Sequence, residues 1–304
     1  MPFLHTDQPS SQPDTAEILA AVKRIQLLTR QAVTDMISGG YQSVFRGSGM
    51  EFEEVREYVP GDDVRAIDWN VTARTGRPYI KKFVEEREQT VMVALDLSAS
   101  TRLGSTGRNV RSSAAELAAI LAFSAAQSGD RVGLHAFTDR VELELPPQTG
   151  IRQAFRITRE ALVGKTIGRG TDLSLACDTL ARVLKRKSYV FLISDFLGDD
   201  FDRSLGLLAG RHDVVALRLV DPRHRSVPSV GLIRWDDAEE GGQVLVDSSA
   251  PAVREMMERR YEERSQSLRG MLMRHGVDLV DIPLGGSIVD PLVAYLHLRE
   301  RRMR

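Results

Sequence analysis

The chain has 304 residues, 42% of them apolar and 27% charged, a globular composition and not a disordered or fibrous one. Its 41 Lys and Arg against 42 Asp and Glu leave a net charge of −1, which removes the strongly basic balance that argues for nucleic-acid binding. One cysteine, Cys177, excludes an internal disulfide framework. No stretch approaches the roughly 20 apolar residues of a membrane span, and Met1–Thr15 lacks the basic-then-apolar order of a secretory leader, so a cytoplasmic protein is expected.

Along the chain, residues 1 to 13 read as a polar, Pro-containing lead-in. Asp14 is placed to cap a helix reaching about Ile37, with Gly39-Gly40 ending it. Residues 41–89 are dense in charge and aromatics; they carry a Pro60-Gly61 turn and a helix start at Asp62-Asp63 ahead of Ile67 and Trp69. From Thr90 the texture changes to apolar strands alternating with helices.

The expected order there is strand Thr90–Leu95, helix Val110–Gln127, strand Arg131–Phe137 and a hairpin partner Val141–Leu145. Helix Thr171–Leu184, strand Tyr189–Ile193, helix Phe201–Ala209 and strand Val214–Val220 follow, then a short edge strand Gln243–Val246. Helix Pro251–His275, strand Val277–Ile282 and helix Val289–Arg301 close the chain. Strands separated by helices of this length imply βαβ crossovers. The expected fold class is therefore α/β, a mostly parallel, Rossmann-type central sheet flanked by helices and preceded by a small N-terminal module. The expected divisions are a tail and helix over 1–38, a charged and aromatic module over 39–89, and an α/β domain with a C-terminal helical extension over 90–304.

The sharpest chemical feature is Asp96-Leu97-Ser98-Ala99-Ser100, at the end of the first buried strand. Ligands of open parallel sheets bind past the carboxyl ends of the strands, and a carboxylate followed by two hydroxyls at alternate positions can turn three oxygens to one point. Thr171, at a helix start, and Asp195, at the end of another apolar strand, add two more oxygens. An all-oxygen set suits one hard cation, Mg²⁺ or Mn²⁺. The competing reading is that Ser98, Ser100 and Asp195 only cap the helices that follow.

A second feature, Arg56-Glu57-Tyr58-Val59-Pro60-Gly61-Asp62-Asp63-Val64-Arg65-Ala66-Ile67-Asp68-Trp69 with Thr72-Ala73-Arg74, sets opposite charges every few residues around an apolar pair. It reads as an internal salt-bridge network or as a partner surface formed by Arg56, Tyr58, Asp62, Asp63, Arg65, Asp68, Trp69 and Arg74. Other signals are weaker. Gly164-Lys165-Thr166 lacks the earlier glycine of a phosphate-binding loop, because Arg159 stands there. His135 reads as a packed core residue, Cys177 as a small buried hydrophobe, and Arg299–Arg304 as a solvated helix end.

The five oxygen-bearing positions resemble the metal-ion-dependent adhesion site of von Willebrand factor type A domains. That resemblance implies Ser98, Ser100 and Thr171 as direct ligands, and Asp96 and Asp195 as ligands direct or through water. The charged segment, the Asp-x-Ser-x-Ser loop, Val246-Asp247, the Arg254 helix, Asp290-Pro291-Leu292 and Leu298-Arg299 together resemble the bacterial family known as domain of unknown function 58, over roughly residues 40 to 302. The resemblance implies a von Willebrand A-like domain and a MoxR-type AAA+ ATPase, or its client, as partner. The function expected is a non-enzymatic, metal-dependent binding module, with no nucleic acid and no membrane span. One alternative is a Mg²⁺-dependent phosphohydrolase of haloacid-dehalogenase-like layout, which the residue type at Ser98 opposes because a serine is a poor general acid. The other is a structural or oligomerisation protein with a vestigial site.

Overall fold

The computed structural model describes residues 15–44, 50–85, 88–98, 110–168, 170–198, 200–222, 229, 231–236 and 243–303. Helix α1 (Thr15–Ser38) is followed by a single turn, α2 (Tyr41–Val44), and strand β1 (Met50–Glu57). Asp63 then accepts the Arg65 amide to start a 3₁₀ turn over Val64–Ala66, and Asp68 accepts the Asn70 and Val71 amides to start α3 (Trp69–Thr75). Strand β2 (Tyr79–Glu85) returns antiparallel to β1. Of the helix start expected at Asp62-Asp63, Asp63 caps only the 3₁₀ turn, Asp62 accepts from Arg56 instead, and the helix itself begins at Asp68.

The α/β region begins with β3 (Thr90–Asp96), α4 (Val110–Ser128), β4 (Arg131–Phe137) and β5 (Val141–Gln148). It continues through α5 (Ile151–Val163), α6 (Leu173–Val183), β6 (Tyr189–Ser194), α7 (Asp202–Ala209) and β7 (Asp213–Val220). A two-stranded ribbon, β8 (Leu232–Asp236) with β9 (Gln243–Asp247), precedes α8 (Pro251–Arg274), β10 (Asp278–Pro283) and α9 (Val289–Met303). The strand expected at Gln243–Val246 therefore exists, but it pairs with β8 and not with the edge of the main sheet.

The six-stranded sheet runs β10-β7-β6-β3-β4-β5, parallel throughout except for the antiparallel edge strand β5. Helices cover both faces. Val91, Val93 and Leu95 of β3 share one core with α1, α4, α5 and α9, while Met92 and Ala94 share the other with α6, α7 and α8. The two-residue period of a strand produces this division, and burial on both faces explains why β3 is a continuous apolar run. His135 and Cys177 are fully buried, as expected. Among the described residues no helix is long and apolar enough to cross a membrane.

A candidate metal centre at the carboxyl edge of the sheet

Strand order places the site. From β3 the chain steps to β4 on one side and later returns to β6 on the other, so the order reverses between β3 and β6. A crevice opens at the carboxyl ends of strands at such a point. The register Leu95↔Ile193 brings the next residues, Asp96 and Ser194, side by side. Both follow the parity of Met92-Ala94 and Val190-Leu192, and so sit on the face covered by α6 and α7.

Asp96 is 1% exposed. Its Oδ1 accepts the Ser98 amide at 2.9 Å and its Oδ2 accepts the Ser194 hydroxyl at 2.6 Å. The Ser194 oxygen in turn accepts the Phe196 amide at 3.0 Å, and Asp195 Oδ1 accepts the Leu197 amide at 3.0 Å. Phe196 has φ 57°, a left-handed conformation that a bulky side chain rarely adopts, and among the described residues it is the one non-glycine with positive φ. Burial, and then the nearby charge of Asp195, push the Asp96 carboxyl up to about 7 against the opposing pull of its hydrogen bonds. A buried carboxylate thus feels the charge of a second, partly buried one.

The other loops converge on this point. Leu97 donates its amide to the Phe137 carbonyl at 2.8 Å, and Asp172 donates to Thr138 at 3.0 Å while its own carboxylate accepts the Leu175 amide at 2.7 Å to cap α6. Thr171, 8% exposed, stands just ahead of that cap. A Cβ on Gly198 would lie 3.1 Å from the Thr171 carbonyl oxygen and 3.3 Å from its methyl carbon, so the loop after Asp195 rests against Thr171. Ser98 is fully buried beside Asp96. Of the five expected ligands, Asp96, Ser98, Thr171 and Asp195 therefore lie on adjoining loops at one edge of the sheet, and Ser100 lies outside the described residues.

Two residues of this edge carry signals that were not read from the sequence. Ser194 ends its strand just as Asp96 ends β3, with a polar group after an apolar run, and that matching parity is the legible sign. Glu142, on β5, accepts the Thr138 hydroxyl at 2.8 Å, the Gly168 amide at 2.7 Å and the Ile167 amide at 3.0 Å. Burial opposes its ionisation, but these amides and the hydroxyl outweigh it and hold the carboxyl below its ordinary range. Nothing in the spacing of β5 distinguishes it from the exposed Glu144.

The charged module divides its eight expected partner residues. Arg56 donates two hydrogen bonds to Asp62 at 2.9 and 2.7 Å, and Asp63 and Asp68 are spent on caps. Tyr58 is half-buried, whereas Arg65, Arg74 and Trp69 are exposed, Trp69 by 70%. Part of this segment is thus an internal network and part an open surface.

The model of the family described as "Protein of unknown function DUF58" matches residues 54–267. An uncharacterized protein of Mycobacterium tuberculosis and one of Mycobacterium bovis are each 30% identical over 291 residues, covering 95% of this chain and 92% of the relative. Among solved structures, an aerotolerance-related membrane protein from Bacteroides fragilis aligns with a TM-score of 0.46 at 16% identity, over 71% of this chain and all of that one. A von Willebrand factor type A protein from Catenulispora acidiphila aligns with a TM-score of 0.37 at 13% identity, over 73% of this chain and 43% of that one. With a family model matched over most of its length and relatives 30% identical over nearly the whole of both chains, the chain belongs to the DUF58 family.

Proposed function

We propose that the protein is a non-enzymatic, cytoplasmic binding module in which Asp96, Ser98, Ser100, Thr171 and Asp195 hold one Mg²⁺ or Mn²⁺ ion. The observation that carries this reading is the buried Asp96 carboxylate, acted on by burial and by a second carboxylate at the point where the strand order reverses. A buried carboxylate beside a second carboxylate is stabilised by a proton or by a cation. The donor set consists of oxygens alone and so fits a hard ion. When bound, the ion supplies a positive charge able to attract a further carboxylate.

The chain's own residues would do the remainder. Ser194 and the Ser98 amide fix the orientation of Asp96. Ile167 and Leu197, exposed by 78% and 40%, stand on the loops carrying Thr171 and Asp195 and offer apolar contact to a docked protein. The partner class implied by the family resemblance is a MoxR-type AAA+ ATPase or its client, in complex assembly or maturation. The exposed Trp69, Arg65 and Arg74 form a second contact surface in this reading.

The test is calorimetric titration of Mn²⁺ and Mg²⁺ into chelator-treated full-length protein, beside Asp96→Asn and a Ser98→Ala/Ser100→Ala double variant. Stoichiometric binding by the wild type, reduced at least tenfold in both variants, is expected. A second arm measures binding of a purified MoxR-type ATPase in Mg²⁺ and in chelator. Metal uptake that the variants do not alter overturns the site, and equal ATPase binding in chelator overturns the metal-dependent contact.

A further inference from the structure

The opposite edge of the sheet carries a different chemistry. Arg182-Val183-Leu184-Lys185-Arg186-Lys187 puts four cations into six residues at the end of α6, where the chain turns into β6. The next crossover, α7, ends one turn before Arg211-His212, which opens into β7. Because β6 and β7 are parallel neighbours, these two turns lie side by side. Between them is a cleft of about 360 Å³ walled by Arg182, Lys185, Arg186, Lys187, Arg211 and His212.

The five cationic residues are exposed, whereas His212 is 5% exposed and neither ring nitrogen meets a hydrogen-bond partner among the described residues. Some of the cations are oriented from within. Arg211 donates to the Ala181 carbonyl, Lys185 to that of Arg182 and Arg182 to that of Asp178, each at 3.2 Å. Cations at a helix carboxyl end are ordinarily explained by its dipole. Here the end of α6 supplies four of them and the turn after α7 the fifth, around one concavity, and each bond uses one donor of a guanidinium with five or an ammonium with three. An adjoining hollow of about 450 Å³ shares Ala181, Arg182 and Arg211 and adds Leu175, Leu207 and Asp178, the single carboxylate among the residues lining the two.

We infer that this basic cleft binds a phosphate group, with the adjoining hollow, walled in part by Leu175, Ala181 and Leu207, taking the organic part of the molecule that carries it. Multiple forked and point-like donors converging on one concavity are the arrangement that recognises the anionic oxygens of a phosphate group. Its volume lies within the ~300–1,000 Å³ of small-molecule sites. A soluble phosphate ester and a phospholipid headgroup present the same chemistry to such a cleft.

The experiment uses the full-length protein in chelator on an Asp96→Asn background, so that no ion at the opposite edge recruits phosphate. Inorganic phosphate is titrated and followed by ³¹P NMR. In a second arm the protein is sedimented with vesicles of phosphatidylglycerol in phosphatidylcholine, and with phosphatidylcholine alone. Saturable phosphate binding, weakened at least tenfold by Lys185→Ala/Lys187→Ala without a change in melting temperature, supports the site. So does weakening by the single variant His212→Gln, a readout from the buried wall. Phosphate binding without sedimentation assigns a soluble ester; phosphatidylglycerol-dependent sedimentation lost in the double variant assigns a headgroup. Absence of both, or binding that neither variant reduces, overturns the inference.

Discussion

At Asp96 a buried carboxylate is oriented by a hydroxyl and an amide while a second carboxylate raises its energy. Asparagine is the same size and carries no charge: its Oδ1 still accepts from the Ser98 amide, while its Nδ2 donates to the Ser194 oxygen and reverses the direction of that bond. Asp96→Asn is therefore expected to stabilise the chelator-treated protein by about 1 kcal/mol or more, read as a rise of about 2 °C or more in melting temperature. A lower melting temperature would show that the hydrogen bonds to the charged form outweigh the repulsion at this pair. His135 gives a pH-dependent counterpart on the same sheet face. Burial alone pushes its imidazole down to about 4 from 6.5, so between those values the unfolded chain takes up a proton that the folded chain refuses. Stability then falls as pH drops through that window, by about 2 kcal/mol at pH 5 from this residue. Denaturant titrations at pH 7 and pH 5 should show the loss, and His135→Phe should reduce it; an unchanged pH slope in the variant removes His135 as the cause.

The loop that carries Thr171 is held at the scale of whole elements. Glu142 of the edge strand grips the Ile167 and Gly168 amides, and a Cβ on Gly168 would fall 1.9 Å from Asp139 Oδ1, so the loop is pressed onto the turn between β4 and β5. Glu142→Ala is expected to raise amide exchange of residues 164–172 by about tenfold or more, the loss of bonds worth roughly 1–3 kcal/mol to a charged acceptor, with α4 and β3 unchanged. Uniform exchange across the whole chain would mean global destabilisation and not a local clamp. The same elements show how much was legible beforehand. Runs such as Thr90–Asp96 and Tyr189–Ser194, buried on both faces, announced themselves, and their polar ends marked most of the site. Helix α5 gave no such sign, because its first position follows Gly150, which supplies no side-chain cap. Strand β1 was equally silent, since a register shift between Phe52 and Glu54 breaks the alternation that would identify it. Glu142 was missed because its role depends on what the fold brings opposite it, which no local spacing records; Ser194 ends its strand as Asp96 does, and only the pairing of β6 with β3 shows what it touches.

Across the whole molecule a net charge of −1 conceals local clusters: carboxylates at the carboxyl end of β3 and β6, and five cations around the turns that lead into β6 and β7. The amino edge of the sheet also holds the closing helix in place. Arg299 of α9 lies between the side chains of Asp213, which begins β7, and Asp278, which begins β10, and it donates to the Tyr295 hydroxyl. Truncating it removes the partner of Asp213 and unfastens α9 from β7, while Tyr295 and Arg302 still hold Asp278 of β10. Breaking a buried ion pair typically costs about 3–5 kcal/mol; because Asp213 and Asp278 are partly exposed, solvent reduces this, and about 2 kcal/mol is expected for Arg299→Ala. That corresponds to a melting temperature lower by roughly 4–8 °C. The strands separate this network from Asp96 by their full length, and sites so far apart without shared partners act additively. Mn²⁺ should therefore bind Arg299→Ala within about twofold of the wild-type affinity and raise the two melting temperatures by the same increment. Measuring melting curves of both proteins with and without Mn²⁺ checks this. A much smaller increment in the variant would mean that the position of α9 is coupled to the proposed metal site, and that the sheet transmits between its two edges instead of holding them apart.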